Sequence, residues 1–430
     1  MGTQITFNPA PPSIMHLDLN SCFASVEQQA NPLLRDKPIA VVHTDAPYGC
    51  ILAPSIEAKL WGIKTGMTLG EGKLLCPWLI ARVADPPKYR QIHSQFSRLL
   101  RDYSDHVISK SIDEFALALP ERTVSVPKGS DLEGRAQPRP DDQRGRSDPQ
   151  GIHKRTVLIG KEIKSRIKSE IGEYLRVSIG LSTNQVLAKL ASTLHKPDGF
   201  AIIDSANFMG IYRQISLQDL CGIGFHNQTR LHRLGIFTVP QFYASSIQTL
   251  YSAFGSVLGR YWHTRLHGYE LDDVQFDRQS FGQSYVLPHP MEYGEWRPVL
   301  SKLVAKAARR LRAAGFTARS VALSLRFEDG TSWHASHHLQ ISIFSDADLF
   351  VAALSLQRTD LCKKVKKIAF TCYGLNKDSA QLSYLLDQVK QKSLVNALDS
   401  LNDKWGEYTI TYGSFLGSEG HVRDAIAFGR

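Results

Sequence analysis

The sequence is poor in cysteine, and its cysteines are not arranged for a structural site. The six cysteines of this 430-residue chain are scattered, and no Cys-x-x-Cys pair occurs. This spacing does not fit the usual zinc motifs or a disulfide framework, and it is typical of a protein that folds in a reducing cytosol. We therefore expect a cytoplasmic location.

Long apolar runs and targeting signals are also missing. No run approaches the length that spans a membrane, and the N-terminus has no basic start followed by an apolar core. Acidic residues are in the minority, with 41 Asp and Glu against 51 Lys and Arg, which gives a net charge of +10. A basic excess favours polyanionic partners, nucleic acid first, and the length predicts two to four domains.

Two adjacent acids, Asp113 and Glu114, interrupt the apolar stretch 107–119, which is otherwise typical of a strand. Burying them is costly unless a cation or hydrogen bonds compensate. Because successive strand side chains point to opposite faces, the pair should lie at a strand end or turn. Asp18 follows a similar apolar stretch, so we predict that the three carboxylates gather around Mg²⁺. The alternative is a surface hairpin whose acids are merely solvated.

The N-terminal third alternates strands and helices. We predict a loose leader at 1–12, a helix capped by Asn20 or Ser21 after Asp18, and a second strand at 38–42. Residues 120–155 contain a stretch with almost no apolar side chains, and we predict a disordered insertion there.

A Gly-Ile-Gly turn, Gly222 to Gly224, stands between two segments of helical pattern, 217–221 and 229–236. This arrangement is typical of a helix-hairpin-helix whose backbone N–H groups contact a DNA phosphate, with Leu231, Leu234 and Ile236 packing the second helix. The alternative is a turn that serves packing alone.

In the last third of the sequence, a stretch with a helical pattern carries several Lys and Arg residues and no acidic residue between them. A basic strand region follows it, so we predict a surface that tracks a DNA backbone, the alternative being a solvated helix face. The residues concerned are Lys302, Lys306, Arg309, Arg310, Arg312 and Arg319.

Taken in order, four motifs resemble those of the Y-family translesion DNA polymerases, the DinB/UmuC class. They are His16–Glu27, Ser111–Glu114, Ser178–Asn184 and the stretch from Lys189 through Lys196-Pro197-Asp198-Gly199.

The resemblance implies an α+β multidomain, right-hand fold. It would have a ferredoxin-like palm, small fingers, a helical thumb with a helix-hairpin-helix, and an α/β little-finger domain. The implied domains are a palm at 13–23 and 86–200, fingers at 24–85, a thumb at 201–272, a linker at 273–280, a DNA-binding little finger at 281–416 and a tail at 417–430.

The resemblance also implies a two-metal site. Asp18, Asp113 and Glu114 would be the catalytic acids and would hold two Mg²⁺ ions together with the Leu19 carbonyl, with Mn²⁺ able to replace them. Phe23 falls where the family has an aromatic steric gate against a ribose 2′-hydroxyl. Two cations can clamp the attacking and leaving oxygens of an in-line displacement.

Several residues depart from the family pattern around the nucleotide. Lys196 matches the family lysine that contacts the triphosphate, but Cys22 replaces an aromatic residue behind the gate and Asn20 replaces an acid common in DinB members. Ala53 and Ile56 replace a hydroxyl residue and a tyrosine, which predicts weak nucleotide affinity unless another group compensates. We expect Lys59 or the neighbouring backbone to do so.

The leading hypothesis is therefore a template-directed, low-fidelity polymerase without proofreading, acting on primer–template DNA and dNTPs. The alternatives are a catalytically silent DNA-binding adaptor of a mutagenesis complex and a metal-dependent nuclease. We expect a monomer, and find no convincing sliding-clamp peptide. Residues 340–344 resemble one loosely, but are predicted to form an internal strand.

Overall fold

The computed structural model describes residues 5–119, 149–271, 279–356, 363–377, 386–418 and 420–422. The chain divides into two compact units, with the boundary between residues 275 and 276. Most of the predicted insertion and linker, and the last eight residues of the predicted tail, lie outside the described residues. No described helix is long and apolar enough to cross a membrane.

The first unit contains eight strands and eleven α-helices within its described part. They are β1 Ile14–Leu19, α1 Cys22–Ala30, β2 Ile39–Val42, β3 Ile51–Pro54, α2 Ile56–Leu60, α3 Leu69–Leu75, β4 Ile80–Val83, α4 Pro86–Leu100, β5 Val107–Ser109, β6 Glu114–Ala118, α5 Pro149–Arg166, β7 Val177–Ser182, α6 Gln185–Leu194, β8 Phe200–Ile202, α7 Phe208–Tyr212, α8 Phe225–His232, α9 Val239–Ala244, α10 Ile247–Phe254 and α11 Leu258–Leu266.

A five-stranded sheet in the order β5-β6-β1-β7-β8 organises this unit, and β1 pairs antiparallel with both β6 and β7. Successive side chains of β1 point to opposite faces of the sheet. Met15 and Leu17 are buried in an apolar core with residues of α4 and α5, whereas His16 and Asp18 take the other positions. The polar residues therefore share the opposite face.

Helix α6 approaches the sheet very closely at Gly180 of β7. A Cβ atom added at Gly180 would lie 2.0 Å from the carbonyl oxygen of Ala188 and 2.3 Å from the backbone nitrogen of Ser192. Only glycine permits this approach, which brings the side chains of α6 next to the polar positions of β1.

The insertion and the leader differ from their predictions. Helix α5 already begins at Pro149, so the predicted disorder was wrong for 149–155. The leader is not loose in its described part, because Phe7 is buried and stacks on Phe208 with ring centroids 4.1 Å apart. The Asn8 backbone N–H donates to the carbonyl of His267, which pins this segment to the helical region. Burying an aromatic ring offsets the entropy of ordering the segment.

The Gly-Ile-Gly turn joins a short 3₁₀ turn, Leu217–Asp219, to helix α8, so the first predicted helix is only one turn long. Gly222 has a φ of 105°, and Ile223 is buried in the core of α7–α11. Leu231 packs as predicted, but Leu234 is 44% exposed, because it follows the end of α8.

The described part of the second unit contains β9 Ser280–Met291, α12 Tyr293–Ala313, β10 Phe316–Phe327, β11 Ser332–Ile343, α13 Asp346–Ser355, β12 Val365–Lys377 and α14 Leu386–Trp405. Its four strands form an antiparallel sheet in the order β11-β10-β12-β9, with helices packed on one face. Residues 340–343 belong to β11, so the predicted strand is present there, at an edge of the sheet.

Candidate active site

The structure brings the three predicted acids to one end of the β1–β6 pair. Asp18 and Glu114 are Cα partners across the two strands, so their side chains share one face. Asp113 precedes the first residue of β6, and its carbonyl accepts a hydrogen bond of 2.9 Å from the Leu19 N–H. The predicted position at a strand end is confirmed. β5 and β6 do form a hairpin, but its acids are partly buried rather than freely solvated.

Two lysines neutralise two of these acids. The Lys196 ammonium lies 2.5 Å from an oxygen of Asp18, and the Lys189 ammonium lies 2.8 and 2.6 Å from the two oxygens of Glu114. Burial acts to lower the pKa of Lys189, but the bonds to Glu114 outweigh it, so its pKa is raised. Asp113 instead accepts a short hydrogen bond from the hydroxyl of Ser111.

His16 is a buried neighbour of the three acids and the two lysines. Its Nε2 atom lies 3.8 Å from Glu114, and its Nδ1 atom lies 3.3 Å from the Ser192 hydroxyl. Burial and then the nearby ammonium groups of Lys189 and Lys196 lower the pKa of His16 to about 3. The imidazole is therefore neutral at physiological pH and adds no charge to the site.

The side chain of Asn20 holds the loop that carries Lys196 by hydrogen bonds. It is therefore not the helix cap that we predicted. Its Oδ1 atom accepts hydrogen bonds from the Asp198 N–H at 2.7 Å and from the Ser178 hydroxyl at 3.1 Å. Ser21 precedes helix α1 with a φ of 49° and makes no side-chain cap. The amide thus fixes the loop relative to β1 and β7.

Phe23 and Cys22 open helix α1, directly after the acidic end of β1. Both side chains are buried, and the Phe23 ring stacks on Tyr89 of α4 with centroids 4.3 Å apart. Burial, followed by the negative charges of Asp113 and Asp18, raises the pKa of the Cys22 thiol. The thiol therefore stays protonated, as a small apolar neighbour of the acids.

Lys59 lies close to the same cluster although it comes from helix α2. Its side chain is exposed, but partial loss of hydration and the Lys196 ammonium lower its pKa, while Asp18 acts to raise it. Ala53 lies in β3 and Ile56 begins α2. Neither residue type carries a hydroxyl group that could bind the triphosphate. The position of Lys59 fits the predicted compensation, which stays a prediction.

The cations of helix α12, which we predicted to track a DNA backbone, make bonds within the second unit. Lys306 lies 3.6 Å from Glu407, and Arg309 pairs with Asp403. The Lys302 ammonium donates to the His421 carbonyl at 2.7 Å, and Arg310 donates to the Gly282 carbonyl at 2.6 Å. Acids from distant parts of the sequence thus pair with Lys306 and Arg309, and backbone carbonyls accept from Lys302 and Arg310; a DNA contact by these residues stays a prediction.

Arg312 and Arg319 are also engaged within the second unit. Arg312 bridges Asp399 and Asp346, and Arg319 donates to the Gln340 carbonyl. Gly222 and Gly224 lie in the turn described above, where the Gly222 carbonyl accepts a hydrogen bond from Asn227. A DNA contact through the turn stays a prediction.

Among the described residues, no three His, Cys, Asp or Glu side chains stand close enough together to hold a metal ion as they are arranged. The donor chemistry nevertheless fits a hard divalent cation, because carboxylate oxygens are the ligands that Mg²⁺ prefers. Lys189 and Lys196 contact two of these carboxylates, which demonstrates that the cluster accommodates positive charge at these oxygens.

Sequence reasoning missed three features of the site. We assigned no role to Lys189, although a lysine within the apolar run of α6 was a detectable signal. Burial of His16 beside Glu114, and stacking of Tyr89 on Phe23, had no such signal, since both depend on pairing between distant segments.

Comparisons with known proteins identify the family of this chain. The model of the impB/mucB/samB family matches residues 17–193, and the model of that family's C-terminal domain matches residues 278–384. DNA polymerase IV of Moorella thermoacetica is 31% identical over 411 residues, which cover 93% of this chain and 94% of that protein. DNA polymerase IV 1 of Bacillus subtilis is 26% identical and is covered to 96% of its length.

Solved structures support the same fold. A Y-family DNA polymerase chimera, Dbh-Dpo4(243-245)-Dbh, superposes with a TM-score of 0.68 at 20% identity, covering 84% of this chain and 98% of that one. An insertion ternary complex of Dbh DNA polymerase gives a TM-score of 0.55 with the same identity and coverage. These likenesses establish the right-hand polymerase fold, and together with the family matches they show that the chain belongs to the impB/mucB/samB family, the Y-family of DNA polymerases.

Proposed function

We propose that the protein is a template-directed, low-fidelity DNA polymerase for translesion synthesis, adding dNTPs to a primer 3′ end without proofreading. The observation that carries this proposal is the juxtaposition of Asp18 and Glu114 across adjacent strands, with Asp113 beside them and Lys196 paired to Asp18. Similarity to DNA polymerase IV along nearly the whole chain supports the same activity. A silent adaptor is not favoured, because all three acids are present.

Y-family DNA polymerases generally need divalent metal ions, and Asp18, Asp113, Glu114 and the Leu19 carbonyl are the groups that would hold them here. When bound, two Mg²⁺ or Mn²⁺ ions would favour the deprotonated, nucleophilic form of the attacking 3′-oxygen and would neutralise negative charge on the leaving pyrophosphate. The chain itself contributes the placement of these groups. Lys189 holds Glu114 at both oxygens, and it does so from a helix that Gly180 allows to lie directly on the sheet.

The positive groups near the acids suit a triphosphate. Lys196 sits in a loop fixed by Asn20, and Lys59 lies near it, so both ammonium groups would serve as point charges for the phosphates of a dNTP. Phe23 would exclude a ribose 2′-hydroxyl by the volume of its ring. The absence of hydroxyl donors at Ala53 and Ile56 leaves the nucleotide more dependent on these lysines.

For duplex DNA we propose the open face of the sheet in the second unit rather than helix α12. Arg326 of β10 and Lys367 of β12 are Cα partners, both exposed, and neither makes an ion pair with a described residue. Like charges opposite one another are unfavourable unless an anion lies between them. Small polar residues next along this face, such as Ser324 and Thr371, would let a phosphate backbone approach.

The test is single-nucleotide and full-length primer extension by the whole chain with Mg²⁺, on undamaged and abasic templates. We expect extension by the wild type and a loss of at least about 10³-fold in Asp113→Asn/Glu114→Gln, because the two carboxylates carry the cation charge. Glu173→Gln is the matched control, since Glu173 is exposed and pairs only with Arg35 among the described residues.

Either of two results would contradict this. If neither wild type nor variant extends a primer that both bind, the chain is an adaptor. If extension persists in the double variant, these acids are not the catalytic ones.

A further inference from the structure

Within the part of the chain that the structure describes, one other ring stacks on the aromatic ring of Phe23. Among the described residues its stacking partner is Tyr89, with the two planes 12° apart and the centroids separated by 4.3 Å. The neighbouring residue Cys22 offers no ring, although a second aromatic side chain at that position would brace the first. The orientation of Phe23 therefore depends on where Tyr89 lies.

Tyr89 is itself anchored in a buried polar group. Its hydroxyl donates a hydrogen bond of 2.9 Å to Glu27, and the Lys88 ammonium lies 2.9 and 3.0 Å from the two oxygens of the same carboxylate. Tyr89 is 1% exposed and Glu27 is 7% exposed, so both the ring and its anchor are shielded from water. Buried charge-assisted hydrogen bonds of this kind are strong and geometrically exacting.

The anchor joins the two helices that meet behind the nucleotide site. Glu27 lies one turn after Phe23 on α1, whereas Lys88 and Tyr89 lie in the first turn of α4. A movement of Tyr89 relative to α1 would thus have to break its bond to Glu27. The helix backbone fixes the Cβ of Phe23, but only packing fixes the rotation of its ring.

We propose that Tyr89, anchored by Glu27 and Lys88, is the positioning residue that sets the ring of Phe23 and thereby the discrimination between dNTPs and rNTPs. The inference rests on the proposed function, in which Phe23 faces the sugar. A shift of the ring away from the sugar would leave room for a 2′-hydroxyl. Selectivity in this chain is therefore determined by a relay of three residues that do not themselves touch the nucleotide.

The experiment measures kcat/KM for incorporation of dATP and of ATP opposite a template thymine, using the whole chain. Removal of the ring in Tyr89→Leu should lower the dATP/ATP ratio at least tenfold, mainly by improving use of ATP. Tyr89→Phe keeps the ring but loses the anchor, so it should lower the ratio by a smaller factor, about threefold, as expected for the loss of one hydrogen bond. Glu27→Gln keeps an acceptor and should also change the ratio less than Tyr89→Leu.

Tyr212→Leu is the matched control. Tyr212 is a fully buried tyrosine of helix α7 whose hydroxyl donates to the Leu266 carbonyl, so its loss costs similar packing outside the relay. It should lower thermal stability and leave the dATP/ATP ratio within about twofold of the wild type. Equilibrium binding of dATP and ATP by calorimetry gives a second readout that needs no turnover.

Phe23→Ala separates the possible failures. If Phe23→Ala loses discrimination and Tyr89→Leu does not, the relay is wrong and the gate stands. If Phe23→Ala also leaves the ratio unchanged, the proposed role of Phe23 is wrong, and the relay fails with it. If the wild type extends no primer, the proposed function fails, and unequal binding of the two nucleotides that is lost in Tyr89→Leu would still support the relay.

Discussion

Arg312 holds three helices of the second unit together, and its removal is expected to be severe. Its guanidinium donates to both oxygens of Asp399 at 2.7 and 2.8 Å, to Asp346 at 2.7 Å and to the Phe344 carbonyl at 3.0 Å. The side chains of Arg312, Asp346 and Asp399 are 8%, 16% and 22% exposed. Arg312→Met therefore leaves two largely buried carboxylates without the cation that pairs with them.

Breaking such a group by removing one partner costs about 3–5 kcal/mol. That loss corresponds to a rise of about 10²- to 10⁴-fold in the rate of amide hydrogen exchange for the sheet of the second unit, at about 1.4 kcal/mol per factor of ten. Exchange read by mass spectrometry on peptides of β10 and β12 reports this unit separately from the first. Arg326→Met, which removes an exposed arginine from the same sheet, should change exchange less than about fivefold.

The pH dependence of the stability of the second unit gives a second check. Burial raises the pKa of Asp346, and Arg312 partly offsets this, so the pKa should rise further in Arg312→Met. A group with a raised folded-state pKa contributes stability that is fully present below its unfolded pKa and lost as the pH rises through the folded value. Lowering the pH from 7 towards the ordinary aspartate pKa of about 4 should therefore restore part of the lost protection in the variant. A loss below about 1 kcal/mol, or no recovery on acidification, would refute the reasoning.

Two further predictions concern the ligands. Arg326→Ala/Lys367→Ala should weaken duplex DNA binding and reduce the slope of log affinity against log salt by about two, because two phosphate contacts are lost; an unchanged slope in fluorescence anisotropy titrations would exclude the sheet face. Lys59→Met should raise the KM for dNTPs about fivefold with little change in kcat, as expected for roughly 1 kcal/mol of phosphate binding. Lys64→Met, an exposed lysine beyond the same helix, is the control, and an unchanged KM for Lys59→Met would remove Lys59 from the nucleotide site.

Much of the local structure could be predicted from the sequence. The strand that ends near Asp18 and the second strand, predicted at 38–42, follow from apolar patterning, which is a local property of the chain. The position of Asp113 and Glu114 at a strand end also followed from the two-residue period of strands. The family could be identified because its motifs are short and local.

Pairing between distant segments was decided by the tertiary structure alone. Acids within residues 399–407 pair with Lys306, Arg309 and Arg312 of helix α12, a set of contacts that the helix sequence does not indicate. In the same way, Lys189 meets Glu114 only because α6 lies against the sheet at Gly180. Local sequence determines which residues can be helical, extended or charged, whereas the partner of a charge depends on chain segments that only folding brings within a few ångströms.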